Sequence, residues 1–287
     1  MAKTYLSSLE LPPALVEEKF CLEQKRTCYN GIYPFKIFPD KELERIEFSP
    51  ITIFYGGNGS GKTTLLNIIA EMAKVYRHSA FSGGAFFDSY ISNCRLYGTS
   101  VPDGSQILTS DDIFDYLINI RYLNNGVDLR REELFEDYYE RKNPNKQNVF
   151  TGMDNYDEWM ETHAAKTTSQ SKYVKARLSR NVDMFSNGES AMKFFVDHIS
   201  ENALYLLDEP ENSLSIKLQQ ELTQYIYDSA RYYGCQFIIA THSPVLLSID
   251  DAVIYDLDSY PVETKDWTEL ENVRRYYDFF MEHSSEF

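Results

Sequence analysis

Apolar runs of strand length, rich in β-branched and aromatic residues, mark Ile51–Tyr55 and residues 203–207, 236–240 and 252–255 as buried strands. Directly after the first run, Leu65, Ile68, Ile69, Met72 and Tyr76 recur at helical spacing and form one apolar face. Further helices are predicted over 191–199, over 214–233, where Gly234 stops the pattern, and over 266–283. Buried strands alternating with helices predict an α/β fold around a mainly parallel central sheet covered on both faces. Ahead of the first buried strand, residues 33–38 and 43–48 predict two short antiparallel strands, the second alternating apolar and charged positions. Residues 1–30, interrupted by Pro12 and Pro13, read as an arm packed on the domain or on a partner.

Between 76 and 180 this rhythm is lost. Residues 79–104, rich in Gly, Ser, Tyr and Phe, give no firm assignment. Ser110 as a capping hydroxyl, followed by Asp111 and Asp112, predicts a helix start that Ile113, Leu117 and Ile120 continue. A second helix, charged almost all round, is predicted over 130–141, and a polar loop with Pro144 and Gly152 over 143–171. No heptad pattern persists across 75–185, which excludes a long coiled coil there. The expected organisation is an arm (1–30), a core (31–75 and 181–287) and a helical and loop insertion (76–180) acting as a lid or partner-binding element.

Composition narrows the partners. The 287 residues suffice for one large α/β domain with an insertion, and 43% hydrophobic content supports a real core. With 28 basic against 44 acidic residues the formal charge is −16, so the surface as a whole repels nucleic acid. Any such contact needs a local basic patch, for which Lys172, Lys175, Arg177 and Arg180 are the candidates, or a partner protein. Cys21, Cys28, Cys94 and Cys235 form no C-x-x-C pair and have no His at ligand spacing, which argues against zinc and for thiols in a reducing compartment. No run approaches the roughly 18 apolar residues of a membrane span, and the first residues lack an apolar signal core. The expectation is a soluble, cytoplasmic protein with no membrane role.

The chemistry concentrates where strands end. Gly56, Gly57, Asn58, Gly59, Ser60, Gly61, Lys62 and Thr63, with Thr64 following, fit the phosphate-loop pattern G-x-x-x-x-G-K-[ST] between a strand and a helix. Glycines let backbone N–H groups turn toward phosphate oxygens, and the helix N-terminus adds partial positive charge. Lys62 would reach the β- and γ-phosphates, and the Thr63 hydroxyl would ligate Mg²⁺. Asp208 and Glu209 close the strand at 203–207, the first suited to hold Mg²⁺ and the second to polarise the attacking water. His242 follows the next strand and can bond the γ-phosphate and that water. Ser186, Asn187, Gly188 and Glu189 open the helix over 191–199, a second phosphate-binding device without a lysine.

A phosphate loop, Ser-x-Gly-Glu at 186–189, hydrophobic-Asp-Glu-Pro at 207–210 and a strand-end His at 242, in that order, resemble the ABC-type ATPase superfamily. The pattern looks most like its soluble branch of RecF, Rad50 and SMC-like proteins and small bacterial AAA-family ATPases of the AAA_21 type. The resemblance covers 33–75 and 180–258 and implies a P-loop NTPase fold of the ABC-type ATPase head. It implies ATP with Mg²⁺ as cofactors and two ATPs sandwiched in a homodimer. Ser186, Gly188 and Glu189 would then meet the phosphate loop of the other subunit, and Asn212, Ser213, Leu214 and Ser215 would form a dimer-contact loop. The family's glutamine ligand of Mg²⁺ falls on Gln106, with Ser110 and Asp111 as alternatives. Tyr33, Phe35 and Phe38 are the candidates to stack on adenine.

The expected function is thus an ATP hydrolase, with Lys62, Glu209 and His242 catalytic, acting as an ATP-gated dimerisation switch that controls a protein effector, in a setting such as bacterial defence. A DNA-binding RecF- or Rad50-like repair ATPase and the nucleotide-binding subunit of an ABC transporter are the alternatives.

Overall fold

The computed structural model describes residues 3–25, 31–81, 83–143, 156–178 and 186–287. The chain divides into two compact units, residues 1–114 with 187–287, and residues 115–186.

The first unit is built on a seven-stranded sheet. Its strands are β3 (Ile51–Tyr55), β4 (Tyr76–Arg77), β6 (Gln106–Thr109), β7 (Leu204–Asp208), β8 (Gln236–Thr241), β9 (Val253–Asp256) and β10 (Glu263–Thr264). Their order is β10-β9-β3-β8-β7-β6-β4, parallel throughout except for the antiparallel edge strand β10. Burial of all five residues of β3 and all six of β8 explains why these strands read as continuous apolar runs. The helices α2 (Lys62–Ala73), α7 (Asn187–His198), α8 (Ile216–Tyr232) and α9 (Pro244–Leu247) follow or precede these strands as the sequence pattern requires. The expected helix over 266–283 is a 3₁₀ turn, Trp267–Glu269, followed by α10 (Glu271–Glu282).

A second, three-stranded sheet joins β1 (Leu6–Glu10) to β2 (Arg45–Glu47) and β5 (Arg95–Gly98), antiparallel on both sides. The N-terminal segment is therefore the central strand of a sheet, with α1 (Ala14–Glu23) after it. Residues 33–38 form turns and bends rather than the predicted strand. The aromatic residues there plug the core instead: Phe35 and Phe38 are buried, and Phe35 stacks on Phe20 with ring centroids 4.2 Å apart. Residues 76–114, expected in the insertion, instead supply β4, α3 (Phe87–Ile91), β5 and β6 to the first unit. Each of those strands spans at most four residues, too short for a periodic signal.

The two helices predicted within 110–141 are one helix, α4 (Ser110–Lys142). No proline interrupts it, and Gly126 alone costs only about 1 kcal/mol. Its start is a capping box one residue earlier than the hydroxyl chosen from sequence. The Asp112 carboxylate accepts from the Thr109 N–H at 2.8 Å, and the Thr109 hydroxyl accepts from the Asp112 N–H at 3.3 Å. The second unit gathers the rest of α4 with α5 (Tyr156–Thr167) and α6 (Gln170–Lys175) around Leu134, Tyr138, Ala165, Tyr173 and Val174. There Asp137 accepts from the Tyr173 hydroxyl at 2.6 Å and from Arg141 at 2.7 Å. Within the described residues no helix is long and apolar enough to cross a membrane.

One side chain ties the N-terminal strand to the main sheet. Gln236, fully buried at the start of β8, donates to the Leu6 and Ser49 carbonyls and accepts from the Tyr5 and Leu6 N–H groups, all within 3.1 Å. Gln236→Leu leaves those buried backbone groups unpaired, so it is expected to cost about 3 kcal/mol or more in urea unfolding.

Candidate functional site

The parallel register fixes which residues meet. Tyr55 lies opposite Thr241, Ala240 opposite Asp208, and Asp208 opposite Thr109. The phosphate loop, the Asp208–Glu209 pair, His242 and the start of α4 consequently leave the sheet at one edge, where open parallel sheets bind ligands.

The loop between β3 and α2 closes on itself. Lys62, 5% exposed, donates from Nζ to the carbonyls of Gly56 at 2.7 Å and Gly57 at 3.1 Å. Gly61 caps α2 with φ of 105°, and a Cβ there would come within 2.8 Å of the Phe38 ring, so no other residue fits. The Gly57 N–H donates to Asp258 Oδ2 at 2.7 Å. Ser60 Oγ is buried without a hydrogen-bond partner, an unused polar atom in a loop whose pattern is that of a phosphate cradle. Tyr33 donates to or accepts from Thr64 Oγ1 at 3.1 Å and keeps its ring partly exposed. Phe35 and Phe38 lie in the core, so Tyr33 alone of the three adenine candidates stands beside the loop's helix in reach of solvent.

Thr63 and Asp208 meet across the edge: the hydroxyl donates to Oδ1 at 3.1 Å. Burial raises the Asp208 carboxyl from its ordinary 3.8 to about 6; Thr63 and Lys62 oppose this, while Glu209 and Glu211 add to it. A hydroxyl and a carboxylate in contact, the latter short of compensating positive charge, are the hard oxygen donors that Mg²⁺ prefers. Thr63 and Asp208 therefore fit the ion.

Glu209 takes a positive φ of 48°, its N–H bonded to the Ala240 carbonyl at 2.8 Å and its Oε2 accepting from the Asn212 amide at 3.2 Å. Its Oε1 lies 3.8 Å from His242 Nδ1. This brings the base and histidine of the sequence reading together. His242 lines a cleft of about 450 Å³ with Gly56, Gly57, Asn58 and Asp258, which α10 flanks through Glu271, Asn272 and Arg275.

Gln106 stands apart from Thr63 and Asp208. It starts β6, paired with Tyr205, and Thr109 is the strand's residue at the Asp208 end. Its amide donates to the His198 carbonyl at 2.6 Å. Sequence placed it on the right strand, but at the N-terminal end, opposite Tyr205 rather than Asp208. Ser110 and Asp111 follow Thr109 at the edge in question. Gly188 stands in the first turn of α7, where a Cβ would come within 2.7 Å of Leu218 and 3.3 Å of the Ser213 carbonyl. Its lack of a side chain lets the signature helix pack on α8 and on the loop at 212–215. Glu189 shares that first turn, and Ser186 immediately precedes the helix. Arg180, a candidate for the basic patch, lies outside the described residues.

Two residues went unread in the sequence. Lys41, 8% exposed, donates to the Ser60 carbonyl at 2.9 Å and to the Leu257 carbonyl, pinning the phosphate loop to the end of β9. Burial lowers its pKa, against the pull of Asp258 and Asp256. Glu211 accepts from the Thr241 hydroxyl at 2.6 Å and the His242 N–H at 3.1 Å. A lone lysine in a turn carries no motif, but a third carboxylate one residue after Asp-Glu-Pro was a visible signal.

Because its folded-state pKa lies above the ordinary value, protonated Asp208 stabilises the fold below pH 3.8, and that contribution is lost as pH rises through about 6. The displacement is worth roughly 3 kcal/mol between the protonation states. In EDTA and without nucleotide, Asp208→Asn is expected to stabilise the protein by up to about 3 kcal/mol at pH 8, with the gain shrinking through pH 6 and absent below pH 4 in urea titrations.

Residues 174–248 match the family described as "AAA domain, putative AbiEii toxin, Type IV TA system". The lipoprotein-releasing system ATP-binding protein LolD of Bacteroides fragilis (strain YCH46) is 33% identical over 86 residues, 30% of this chain and 40% of that protein. The chain thus spans about two fifths of that relative's length. Among solved structures, the Smc head domain of Pyrococcus furiosus with an extended coiled coil, bound to the C-terminal domain of ScpA, aligns over 96% of this chain and 99% of that one, at 14% identity and a TM-score of 0.41. The SMC head domain of Thermotoga maritima aligns over 92% and 99%, at 14% identity and a TM-score of 0.38. In motif order, and over residues 174–248 in sequence, the chain resembles the phosphate-loop ATPases of the ABC type.

Proposed function

We propose that the chain binds and hydrolyses ATP and works as an ATP-gated dimerisation switch for a protein effector. The observation that carries this reading is the Thr63–Asp208 contact at the sheet edge, with Glu209 and His242 beside it. Lys62 holds the β- and γ-phosphates from the loop. Thr63 and Asp208 hold Mg²⁺, which when bound offsets the charge that builds on the phosphate oxygens. Glu209 orients the attacking water and takes one of its protons, and His242 accepts a hydrogen bond from the same water. Gly59, Gly61 and the first N–H groups of α2 supply the remaining phosphate contacts.

Ser186, Gly188 and Glu189 act in this reading on the nucleotide of a second copy, which makes one chain half of each active site. Two ATPs then bind the closed pair better than the open one and shift the population toward it. The second unit, 115–186, is the element suited to carry the state to a partner. The family match, whose description names a toxin and a Type IV TA system, supports an effector of the toxin or defence kind. The charge of −16 makes direct nucleic-acid binding the weaker reading.

Glu209→Gln is expected to bind ATP without turnover and to accumulate as a dimer in light scattering, whereas Lys62→Ala loses ATP binding in equilibrium titration and stays monomeric. A Glu209→Gln protein that remains monomeric in saturating ATP and Mg²⁺ rules out the switch.

A further inference from the structure

The three carboxylates of the Asp-Glu-Pro-Glu run are placed differently. Glu211 is the most enclosed, its side chain 7% exposed against 28% for Glu209. Its Oε1 gathers the end of β8 by accepting from the Thr241 hydroxyl and the His242 N–H, and it stands 3.6 Å from His242 Nδ1. Its Oε2 is buried with no hydrogen-bond partner. Leaving a buried acceptor unpaired is costly, and fixing a strand end needs only one neutral acceptor, so the charge calls for another use. Glu209 Oε1 approaches the same ring nitrogen to 3.8 Å. Two carboxylates beside one imidazole nitrogen favour a proton on that nitrogen, which leaves the opposite nitrogen for the cleft His242 shares with Gly57 and Asn58.

We propose that Glu211 is the positioning residue for His242: it fixes the end of β8 and keeps the proton on Nδ1, so that the lone pair on the other nitrogen accepts a hydrogen bond from the attacking water. This rests on the ATPase reading of the site. It also gives the dimer-contact loop a route to the histidine, because Glu211 immediately precedes Asn212, whose amide bonds Glu209.

Glu211→Gln keeps the shape and an acceptor for Thr241 but removes the charge. It is expected to lower kcat about tenfold while KM for ATP stays within roughly twofold. In a His242→Ala background it adds no further loss, since both changes disable one unit. If Glu211→Gln does not fold, Glu211→Asp, which withdraws the carboxylate by one methylene, is expected to give the same split. A wild-type kcat in either variant, or a loss that multiplies with His242→Ala, overturns the inference and leaves the ATPase reading standing. A wild-type protein that does not hydrolyse ATP overturns that reading instead. The measurement free of activity is the imidazole ¹⁵N spectrum of His242 in the nucleotide-free protein, assigned by its loss in His242→Ala. Signals that move toward the other tautomer in Glu211→Gln support the inference, and unchanged signals sink it even if activity falls.

Discussion

The parallel hydrogen-bond register running from β9 through β3, β8 and β7 to β6 is the constraint on which the site depends. Because these strands point the same way, the residues that follow Tyr55, Thr109, Asp208 and Thr241 emerge side by side, although they come from positions almost 190 residues apart. A shift of one residue in any pairing would turn Asp208 or His242 to the other face of the sheet. The apolar residues that fill β3, β7 and β8 hold the register by being buried on both faces.

The edge so formed is electrostatically uncomfortable. Asp208, Glu209 and Glu211 crowd together, with burial already working against the charge on Asp208. Lys62 answers from the phosphate loop and Lys41 from the turn at 39–41 packed on it, each giving its ammonium to backbone carbonyls. A dry surrounding strengthens the repulsion within such a cluster, so it stands only because the closely packed sheet beneath it fixes the strand ends. Glu209 and Ser213 both carry positive φ on the turn that leads from the carboxylates to the loop at 212–215.

Gly61 and Gly188 have different physical reasons. Gly61 answers to a left-handed backbone and to the Phe38 ring, which belongs to the turn at 33–38. Gly188 answers to the approach of Leu218 on α8 and of the Ser213 carbonyl. In each case a motif glycine also records which neighbouring element must come close, and neither neighbour is adjacent in sequence.

Sequence alone determined the buried strands β3, β7, β8 and β9, the phosphate loop with its helix, and the Asp208, Glu209 and His242 positions, because long apolar runs and motif glycines are local signals. It failed where the signal was short or non-local. The turn at 33–38 imitated a strand because its aromatics serve the core; the break imagined near residue 125 was a helix that nothing interrupts. Gln106 opened a plausible strand, but its pairing partner and register are not local signals. Only the tertiary structure decided that residues 76–114 complete the sheet and that the N-terminal strand hangs on Gln236. It also decided that Lys41 clamps the phosphate loop and that Glu211 holds the strand end bearing His242. These roles are set by strand pairing and burial across distant segments, and no local pattern of residues encodes them.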